Sequence, residues 1–239
     1  MKFGILGYGF VGKATVLGLR LPDDTIIHDL NLNTNRSILD DADVVFVCIP
    51  TNTQTDVNIL ISEIEQLKAD TVIIRSTLPI GACERINKPC VIYMPEFLRE
   101  RHWKTDCLNR PLIVGCNSKV PTWLNDIYDI VTCSTTEAEL VKMFSNNLAV
   151  MRIAFANTFY DLANSVDDAD YDAVKDMFLA VQPKQSYLDV PGFDNKQGFG
   201  GKCLPKDLDF LISTLDVQGI NSTVFKEIKK LNKKWQDED

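Results

Sequence analysis

An α/β fold, a doubly wound parallel sheet followed by an all-α region, is predicted by three features of the 239-residue chain. Short apolar runs alternate with segments of helical apolar spacing over roughly the first half. A glycine-rich turn follows the first of these runs. After residue 134 the strand pattern stops, and helical spacing continues. We therefore expect two domains, residues 1–134 and residues 135–239.

The first strand, residues 2–6, leads into Gly7-Tyr8-Gly9-Phe10-Val11-Gly12, after which residues 10–20 have helical spacing. In a strand–turn–helix setting, Gly7 makes the tight turn and Gly9 lets a pyrophosphate approach the backbone. Gly12 lets the helix pack on the strand. The segment predicts a Rossmann-type nucleotide site, and its candidate cofactor residues are Gly7, Tyr8, Gly9, Phe10, Val11 and Gly12.

A second strand, residues 25–28, ends in Asp29. A carboxylate at this place can accept hydrogen bonds from both ribose hydroxyls of NAD, and it would repel the additional phosphate of NADP. No arginine occurs before Arg36 to offset that repulsion. NAD is the cofactor that we expect. The alternative is a plain turn followed by an exposed aspartate.

Three further strands are expected at residues 43–50, 71–75 and 91–94, with a helix at about residues 57–68. Ligands bind at the carboxyl ends of parallel strands. The candidate cofactor residues at these ends are Pro50, Thr51 and Thr77, and the candidate catalytic or substrate-binding residues are Thr77, Glu96, Phe97, Leu98 and Glu100. Glutamates in such loops are otherwise ordinary solvated residues. Residues 111–115 and 130–133 have the pattern of the last strands, with a helix near residues 120–128 between them.

The helical region is predicted to open with a capping box, Thr136-x-x-Glu139, at the start of a long helix. Lys142 and Asn146 are four residues apart, so both lie on one face of that helix and could reach one ligand. The alternative for this pair is a solvated face. Further helices are expected at residues 168–180, 205–215 and 222–235, with a loop at residues 190–202.

The stretch from Gly198 to Asp207 combines three glycines, one thiol, two lysines and a carboxylate. The glycines permit positive φ and a tight fold around a bound group. Pro205 suits the first position of a helix, which places Cys203 just ahead of a helix N-terminus, where the dipole favours the thiolate. Lys202 and Lys206 act in the same direction, and Asp207 can orient or deprotonate a water. The alternative is a buried structural cysteine.

Composition narrows the classes of partner and site. The formal net charge of −8 and the isoelectric point near 4.9 argue against nucleic acid and anionic membrane surfaces. No signal peptide is recognised, so a cytoplasmic protein is expected. The seven cysteines are odd in number and form no C-x-x-C pair, which favours reduced thiols. With two histidines in the chain, no metal site is expected.

Taken together, the chain resembles the UDP-glucose/GDP-mannose dehydrogenase family of NAD-dependent sugar-nucleotide 6-dehydrogenases. The resemblance rests on segments 7–12, 45–50, 76–79 and 95–100, on Lys142 with Asn146, and on segment 198–207. It implies a nucleotide-sugar substrate oxidised twice at C6 to the uronic acid, with Cys203 as the nucleophile. It also implies that Lys142 and Asn146 bind the reacting oxygen and that Asp207 acts with a water. Thr77, Glu96, Glu100 and Gly200 match further site positions, and Lys184 stands where the family often has an arginine.

The family usually continues into a third, nucleotide-binding domain, whereas this chain ends at Asp239. An apolar face formed by Val224, Ile228 and Leu231 is then left uncovered, which predicts a homo-oligomer through the helical domain. Two alternatives remain. One is a two-electron dehydrogenase of the 3-hydroxyacid type, which would have no use for Cys203. The other is a non-catalytic NAD-binding partner subunit.

Overall fold

The computed structural model describes residues 1–109, 111–164, 167–181, 189–192, 194–217, 219 and 221–237. The chain divides into two compact units, Met1–Lys142 and Met143–Asp239. The division falls inside a long helix that begins at Thr135. The domain boundary predicted at residue 134 lies immediately before that helix. Each unit is described separately below.

A seven-stranded sheet, ordered β2-β1-β3-β4-β5-β6-β7, forms the centre of the first unit as far as the structure describes it. Its strands are β1 Phe3–Leu6, β2 Ile26–His28, β3 Val44–Val47, β4 Thr71–Ile74, β5 Cys90–Tyr93, β6 Leu112–Cys116 and β7 Ile130–Cys133. The first five strands are mutually parallel where they pair. All four residues of β3 are buried, as a central strand covered on both faces requires. The predicted α/β fold is confirmed.

The last two strands depart from the fully parallel sheet that the sequence predicted. β6 runs antiparallel to β5, and β7 is parallel to β6. Between β5 and β6 the described residues form a 3-10 turn, Glu100–His102, and the one-turn helix α3, Trp103–Asp106, instead of a full crossover helix. The chain therefore does not return to the starting edge of the sheet before β6 begins, and the sheet is mixed.

The helices α1 Phe10–Gly18, α2 Gln54–Glu65 and α4 Thr122–Ile127 also belong to this unit. The start of α2 lies three residues before the predicted Val57, because a capping box precedes it. The Thr53 hydroxyl accepts the Asp56 N–H at 3.2 Å, and the Asp56 carboxylate accepts the Thr53 N–H at 2.8 Å. This cap is not among the features predicted from the sequence.

The long helix α5, Thr135–Asn164, starts with a cap that differs from the predicted one. The Ser134 hydroxyl accepts the Glu137 N–H at 3.1 Å, and the Glu137 carboxylate accepts the Ser134 N–H at 2.8 Å. The capping box is therefore Ser134-x-x-Glu137, and the predicted Thr136-x-x-Glu139 is wrong. Thr136 instead donates its hydroxyl to Glu84 at 3.2 Å.

The second unit contains the rest of α5 with α6 Tyr171–Val181, α7 Leu204–Val217 and α8 Thr223–Asp237. Two buried apolar clusters are described in this unit, one of Val150, Ala154, Phe199, Leu208, Ile228 and Trp235 and one of Ala156, Ala163, Tyr171 and Val190. Ile228 is only 8% exposed, so the prediction that it lies on an uncovered face is wrong, whereas Val224 and Leu231 are exposed. No helix in the described part of the chain is long and apolar enough to span a bilayer.

Candidate active site

Most candidate residues of the first unit follow the carboxyl ends of its parallel strands. The glycine turn follows β1, Thr51 lies beyond β3, Thr77 beyond β4, and Glu96 beyond β5. Since β1, β3, β4 and β5 are parallel, their carboxyl ends share one edge of the sheet. That edge is where open α/β sheets bind nucleotides.

Close backbone approaches explain two of the three glycines in the turn. Gly7 has φ +93°, and a Cβ added there would lie 2.8 Å from the Cys48 carbonyl oxygen. A Cβ on Gly12 would collide with the Gly7 carbonyl oxygen, so α1 could not pack against β1 at its present distance. Both positions behave as the sequence predicted.

Gly9 is different, because a Cβ added there would meet nothing within 4 Å among the described residues. It is the N-cap of α1, no side chain caps this terminus there, and the first turn carries no acidic residue. Helix N-termini present N–H groups without intrahelical partners, and they attract phosphate. The open space over Gly9 therefore fits the pyrophosphate of NAD. The side chains of Tyr8, Phe10 and Val11 give no separate evidence of cofactor binding.

Asp29 joins the glycine turn to the end of β2. One carboxylate oxygen accepts the Tyr8 N–H at 2.6 Å, and the other accepts the Asn31 N–H at 2.8 Å. The Tyr8 N–H bond is the main cause that lowers the pKa of Asp29, with burial opposing it. The carboxylate is therefore ionised, and each oxygen keeps a further lone pair that a ribose hydroxyl could use. The structural role of Asp29 was not anticipated from the sequence.

Side-chain hydrogen bonds join the segments beyond β3 and β4. The Thr51 hydroxyl donates to the Thr77 carbonyl oxygen at 2.6 Å, and the Ser76 hydroxyl donates to the Ile49 carbonyl oxygen at 2.7 Å. Thr51 and Thr77 are both buried. Pro50, between these contacts, is exposed. The two loops are thus fixed to each other at the nucleotide edge.

Glu96 and Lys142 form a buried ion pair within the first unit. The Lys142 Nζ lies 3.1 Å from one Glu96 carboxylate oxygen, and the two side chains are only 3% and 4% exposed. The other carboxylate oxygen accepts the Leu98 N–H at 2.6 Å. The Nζ also lies 5.5 Å from the centre of the Phe97 ring, a cation–π distance.

Burial alone would raise the pKa of Glu96, but its partners reverse the shift. The positive charge of Lys142 and the Leu98 N–H, with a contribution from Arg75, lower the pKa of this carboxyl overall. A charged pair thus stands at the sheet edge, with Lys142 held on α5. Glu100, by contrast, is exposed at the start of the 3-10 turn Glu100–His102.

Besides Glu96, the first unit has another buried carboxylate, Glu139 on α5. The sequence predicts Glu139 only as part of a helix cap and does not reveal its role in the site. Its side chain is fully buried and accepts the Gly81 N–H at 2.6 Å and the Cys83 N–H at 2.9 Å. Burial raises the pKa of Glu139, and these two N–H donors oppose the rise. Glu139 therefore fastens the loop after Thr77 to the helix that carries Lys142.

In the second unit, the cysteine loop has the backbone that its glycines predicted. Gly198 has φ +75° and Gly201 has φ +76°. The helix α7 begins at Leu204, and the Cys203 carbonyl oxygen accepts the Asp207 N–H at 2.9 Å, so Cys203 is the N-cap residue. Pro205 thus takes the second helical position instead of the predicted first, where it still removes no intrahelical hydrogen bond.

Asp207 is buried at 1% exposure beside the start of α7. One carboxylate oxygen accepts a hydrogen bond from the Asn146 amide, and the Lys206 Nζ lies 3.5 Å from the other oxygen. That second oxygen has no hydrogen-bond donor among the described residues. Asn147 donates to the Asp207 carbonyl oxygen at 3.4 Å. Asn146 and Asp207 are therefore brought together, and one carboxylate oxygen remains able to bind a water.

Four of the remaining thiols are poor nucleophiles, because burial raises their pKa. Burial raises the pKa of Cys48 to about 11, and burial also raises the pKa of Cys83, Cys90 and Cys133. All seven cysteines lie in the described part of the chain, and none forms a disulfide there. Cys203, half-buried at a helix N-cap, is the thiol whose position suits covalent chemistry.

The predicted site residues thus form two groups, Glu96 with Lys142 in the first unit and Asn146 with Asp207 and Cys203 in the second. That Lys142 and Cys203 face one pocket stays a prediction, because they belong to different compact units. Gly200 is half-buried in the cysteine loop, and Lys184 lies outside the described residues. Within the described ranges, no group of three or more His, Cys, Asp or Glu residues could hold a metal ion.

Two sequence profiles of one family match the chain in succession. The profile of the NAD-binding domain of the UDP-glucose/GDP-mannose dehydrogenase family covers residues 24–132, and that of its central domain covers residues 136–234. The chain belongs to this family. The family, the NAD cofactor and the NAD-dependent oxidoreductase class predicted from the sequence are confirmed.

Similar proteins align with most of this chain, whereas this chain aligns with a smaller share of each of them. A UDP-glucose 6-dehydrogenase of Campylobacter jejuni is 29% identical over 97% of this chain and 72% of its own length. A UDP-glucose 6-dehydrogenase of Rickettsia conorii is 27% identical over 84% of this chain and 51% of its own length. A UDP-N-acetyl-D-mannosamine dehydrogenase of Methanococcus aeolicus is 27% identical over 81% and 48%. The chain spans about half the length of the last two relatives.

Solved structures agree on the fold. A UDP-glucose dehydrogenase from Pyrobaculum islandicum superimposes with a TM-score of 0.77 at 19% identity, covering 97% of this chain and 68% of that one. A 3-hydroxyisobutyrate dehydrogenase from Mycobacterium tuberculosis reaches 0.68 at 15% identity, covering 99% and 94%. At these identities the likeness is one of fold, and it extends to enzymes of different named activity.

Proposed function

We propose that the protein oxidises the C6 primary alcohol of a nucleotide sugar to the carboxylic acid, using NAD and the thiol of Cys203. The observation that carries the proposal is the placement of Cys203 at the N-cap of α7, one helical turn from the buried Asp207 that Asn146 holds. A two-electron alcohol dehydrogenase needs no such thiol. Membership in the family supports the same chemistry.

The glycine turn and Asp29 would hold NAD, which would supply the hydride acceptor for both oxidations, one NAD molecule being consumed in each. The Cys203 thiolate adds to the aldehyde carbon after the first oxidation, so a C–S bond forms and the aldehyde cannot escape. The second oxidation leaves a thioester. Asp207 takes a proton from a water that attacks the thioester carbon, the C–S bond breaks, and the acid leaves with the thiolate restored.

Lys142 and Asn146 are the proposed partners of the reacting oxygen. The cationic Nζ of Lys142 can stabilise an oxyanion that develops in the addition steps. In the structure the Lys142 Nζ lies 3.1 Å from the Glu96 carboxylate, and both side chains are buried. We propose Glu96, Phe97 and Leu98 as the segment that borders the substrate, with Thr77, Lys184 and Glu100 as further members of the site.

The stoichiometry of NADH tests this function directly. The purified chain is incubated with NAD and, in separate reactions, UDP-glucose, UDP-N-acetylmannosamine or GDP-mannose, and NADH and acid are counted. Two NADH per acid formed supports the proposal. One NADH per substrate with an aldehyde or ketone product would favour the two-electron alternative, and NAD binding without turnover would favour a non-catalytic subunit.

We also propose that the second unit self-associates, in the cytoplasm. Val224 and Leu231 on α8 are exposed, and α5 carries exposed Phe144 and Phe155 at 71% and 60%. Exposed apolar surface of this kind is typical of an interface. Light scattering of the purified chain, with Phe155→Glu as the variant, tests the proposal. A monomer at all concentrations would contradict it.

A further inference from the structure

The loop that carries Cys203 is held by an amide from the last helix. Asn232 on α8 is only 8% exposed. Its Oδ1 accepts the Phe199 N–H at 2.6 Å, and its Nδ2 donates to the Phe199 carbonyl oxygen at 2.8 Å. One side chain therefore satisfies both backbone polar groups of one loop residue, as a neighbouring strand would.

Two more side chains complete this contact. The Asn157 Oδ1 accepts the Gly198 N–H at 3.0 Å, while its Nδ2 donates to the Ile153 carbonyl oxygen at 2.9 Å. The second bond fixes which way the Asn157 amide faces. Gln236, one turn beyond Asn232, donates to the Phe199 carbonyl oxygen at 2.9 Å. We call Asn232, Asn157 and Gln236 the amide clamp.

The surroundings argue that the clamp serves the loop and not the core. Asn232 borders an apolar cluster that contains Phe199, Ile228 and Trp235. An apolar side chain would pack there without the cost of burying an amide. A Cβ on Gly198 would lie 2.4 Å from the Asn232 Oδ1, so the amide can take its present place only because residue 198 is a glycine.

Only residues 200–202 separate the clamped Phe199 from Cys203. The four Cα–Cα steps from Phe199 to Cys203 span at most about 14 Å even when the chain is extended, so a fixed Phe199 restricts where the thiol can lie. The buried Phe199 ring, 3% exposed, anchors the same point from the other side. We propose that Asn232 is a positioning residue for Cys203, an inference that rests on the proposed nucleophilic role of that thiol.

Two readouts on the full chain test the clamp. Asn232→Leu keeps the number and branching of the side-chain heavy atoms and removes both hydrogen bonds, and Gln236→Ala removes one bond if the first variant does not fold. Ile228→Val is the matched control, because it perturbs the same helix and the same apolar cluster without removing a hydrogen bond to the loop. Hydrogen exchange of the Phe199 amide measures whether the loop is held. Aldehyde trapped by hydrazine during turnover measures whether the thiol captures the intermediate.

We expect Asn232→Leu to speed exchange of the Phe199 amide by about tenfold, as the loss of such a bond implies. We also expect it to raise the fraction of leaked aldehyde about as strongly while KM for NAD stays unchanged, with Gln236→Ala intermediate. Ile228→Val should change neither readout, since lost stability alone lowers the active fraction without altering the products.

Unchanged exchange in Asn232→Leu, or faster exchange without aldehyde leakage, would overturn the positioning role. If the unmodified protein turns over no nucleotide sugar, the proposed function fails and the exchange readout alone decides whether the clamp exists.

Discussion

Two glycine turns precede helices in this chain, and they are held in opposite ways. The turn before α1 is fixed by the charged carboxylate of Asp29, and its open residue, Gly9, has nothing within 4 Å among the described residues. The turn before α7 is fixed by the neutral amides of Asn232, Asn157 and Gln236, and it ends in the thiol of Cys203. The first turn leaves room for a group from outside, whereas the second fixes a group of the protein itself.

The largest effect is expected from removing the thiol of Cys203, the residue in which the second turn ends. Cys203→Ala should reduce acid formation below detection, because no other group can hold the aldehyde, while Cys203→Ser should form an ester that hydrolyses slowly. Product analysis by mass spectrometry measures both variants. Cys116→Ala is the control, since Cys116 is a half-buried thiol on β6 in the first unit. Two NADH per acid from Cys203→Ala would refute the covalent mechanism.

The next effect separates the two kinds of glycine within the first turn. Gly12→Ala should destabilise the protein by about 1–3 kcal/mol, because its Cβ would collide with the Gly7 carbonyl oxygen and force the backbone to move. Gly9→Ala has space and should leave the free energy of unfolding within about 0.5 kcal/mol.

Urea unfolding of both variants measures the difference, and NAD titration supplies the complementary result. Gly9→Ala should weaken NAD binding, because the new methyl occupies the space over the helix N-terminus. Equal stability of the two variants would show that Gly12 is not a packing contact. An unchanged NAD affinity in Gly9→Ala would show that the pyrophosphate does not bind over Gly9.

An effect of comparable size is expected where the first turn meets the ribose. Asp29→Ala removes a charged acceptor, a loss of about 1.5–3 kcal/mol, so NAD should bind roughly ten- to a hundredfold more weakly. Fluorescence titration of NAD and NADP measures it, with Asp24→Ala as an exposed control on the preceding turn. Tighter binding of NADP than of NAD by the unmodified protein would contradict the assignment of Asp29.

The smallest expected effect is a difference between the two turns in how their contribution to stability depends on pH. The pKa of Asp29 is lowered, chiefly by the Tyr8 N–H. A carboxyl with a lowered folded-state pKa contributes its stability above the unfolded value of about 3.9, and the contribution disappears as the pH falls through the folded value. The gap in melting temperature between the unmodified protein and Asp29→Asn should therefore close below about pH 4. Asn232 has no titrating group, so the gap for Asn232→Leu should not close there.

The sequence predicted features that depend on one short segment and missed those that depend on a distant backbone. Gly7, Gly198 and Gly201 were predictable because positive φ is a local property of glycine. Asn232 and Glu139 were not, because their partners are backbone groups far away in the chain, which any residue type would supply. The reversal of β6 was missed for a similar reason, since an apolar strand reads alike in either direction.

Glu139 illustrates how unevenly such contacts restrict a sequence. Both of its oxygens accept backbone N–H groups, so these two hydrogen bonds place no demand on the side chains of the loop, apart from the φ of +80° at Gly81. Glutamate itself has no substitute, because glutamine would point an NH₂ group at a donor and aspartate would fall short. A saturation mutagenesis scan would therefore tolerate many residues at the half-buried Ile80, few at Ala82, which is only 1% exposed, and very few at position 139.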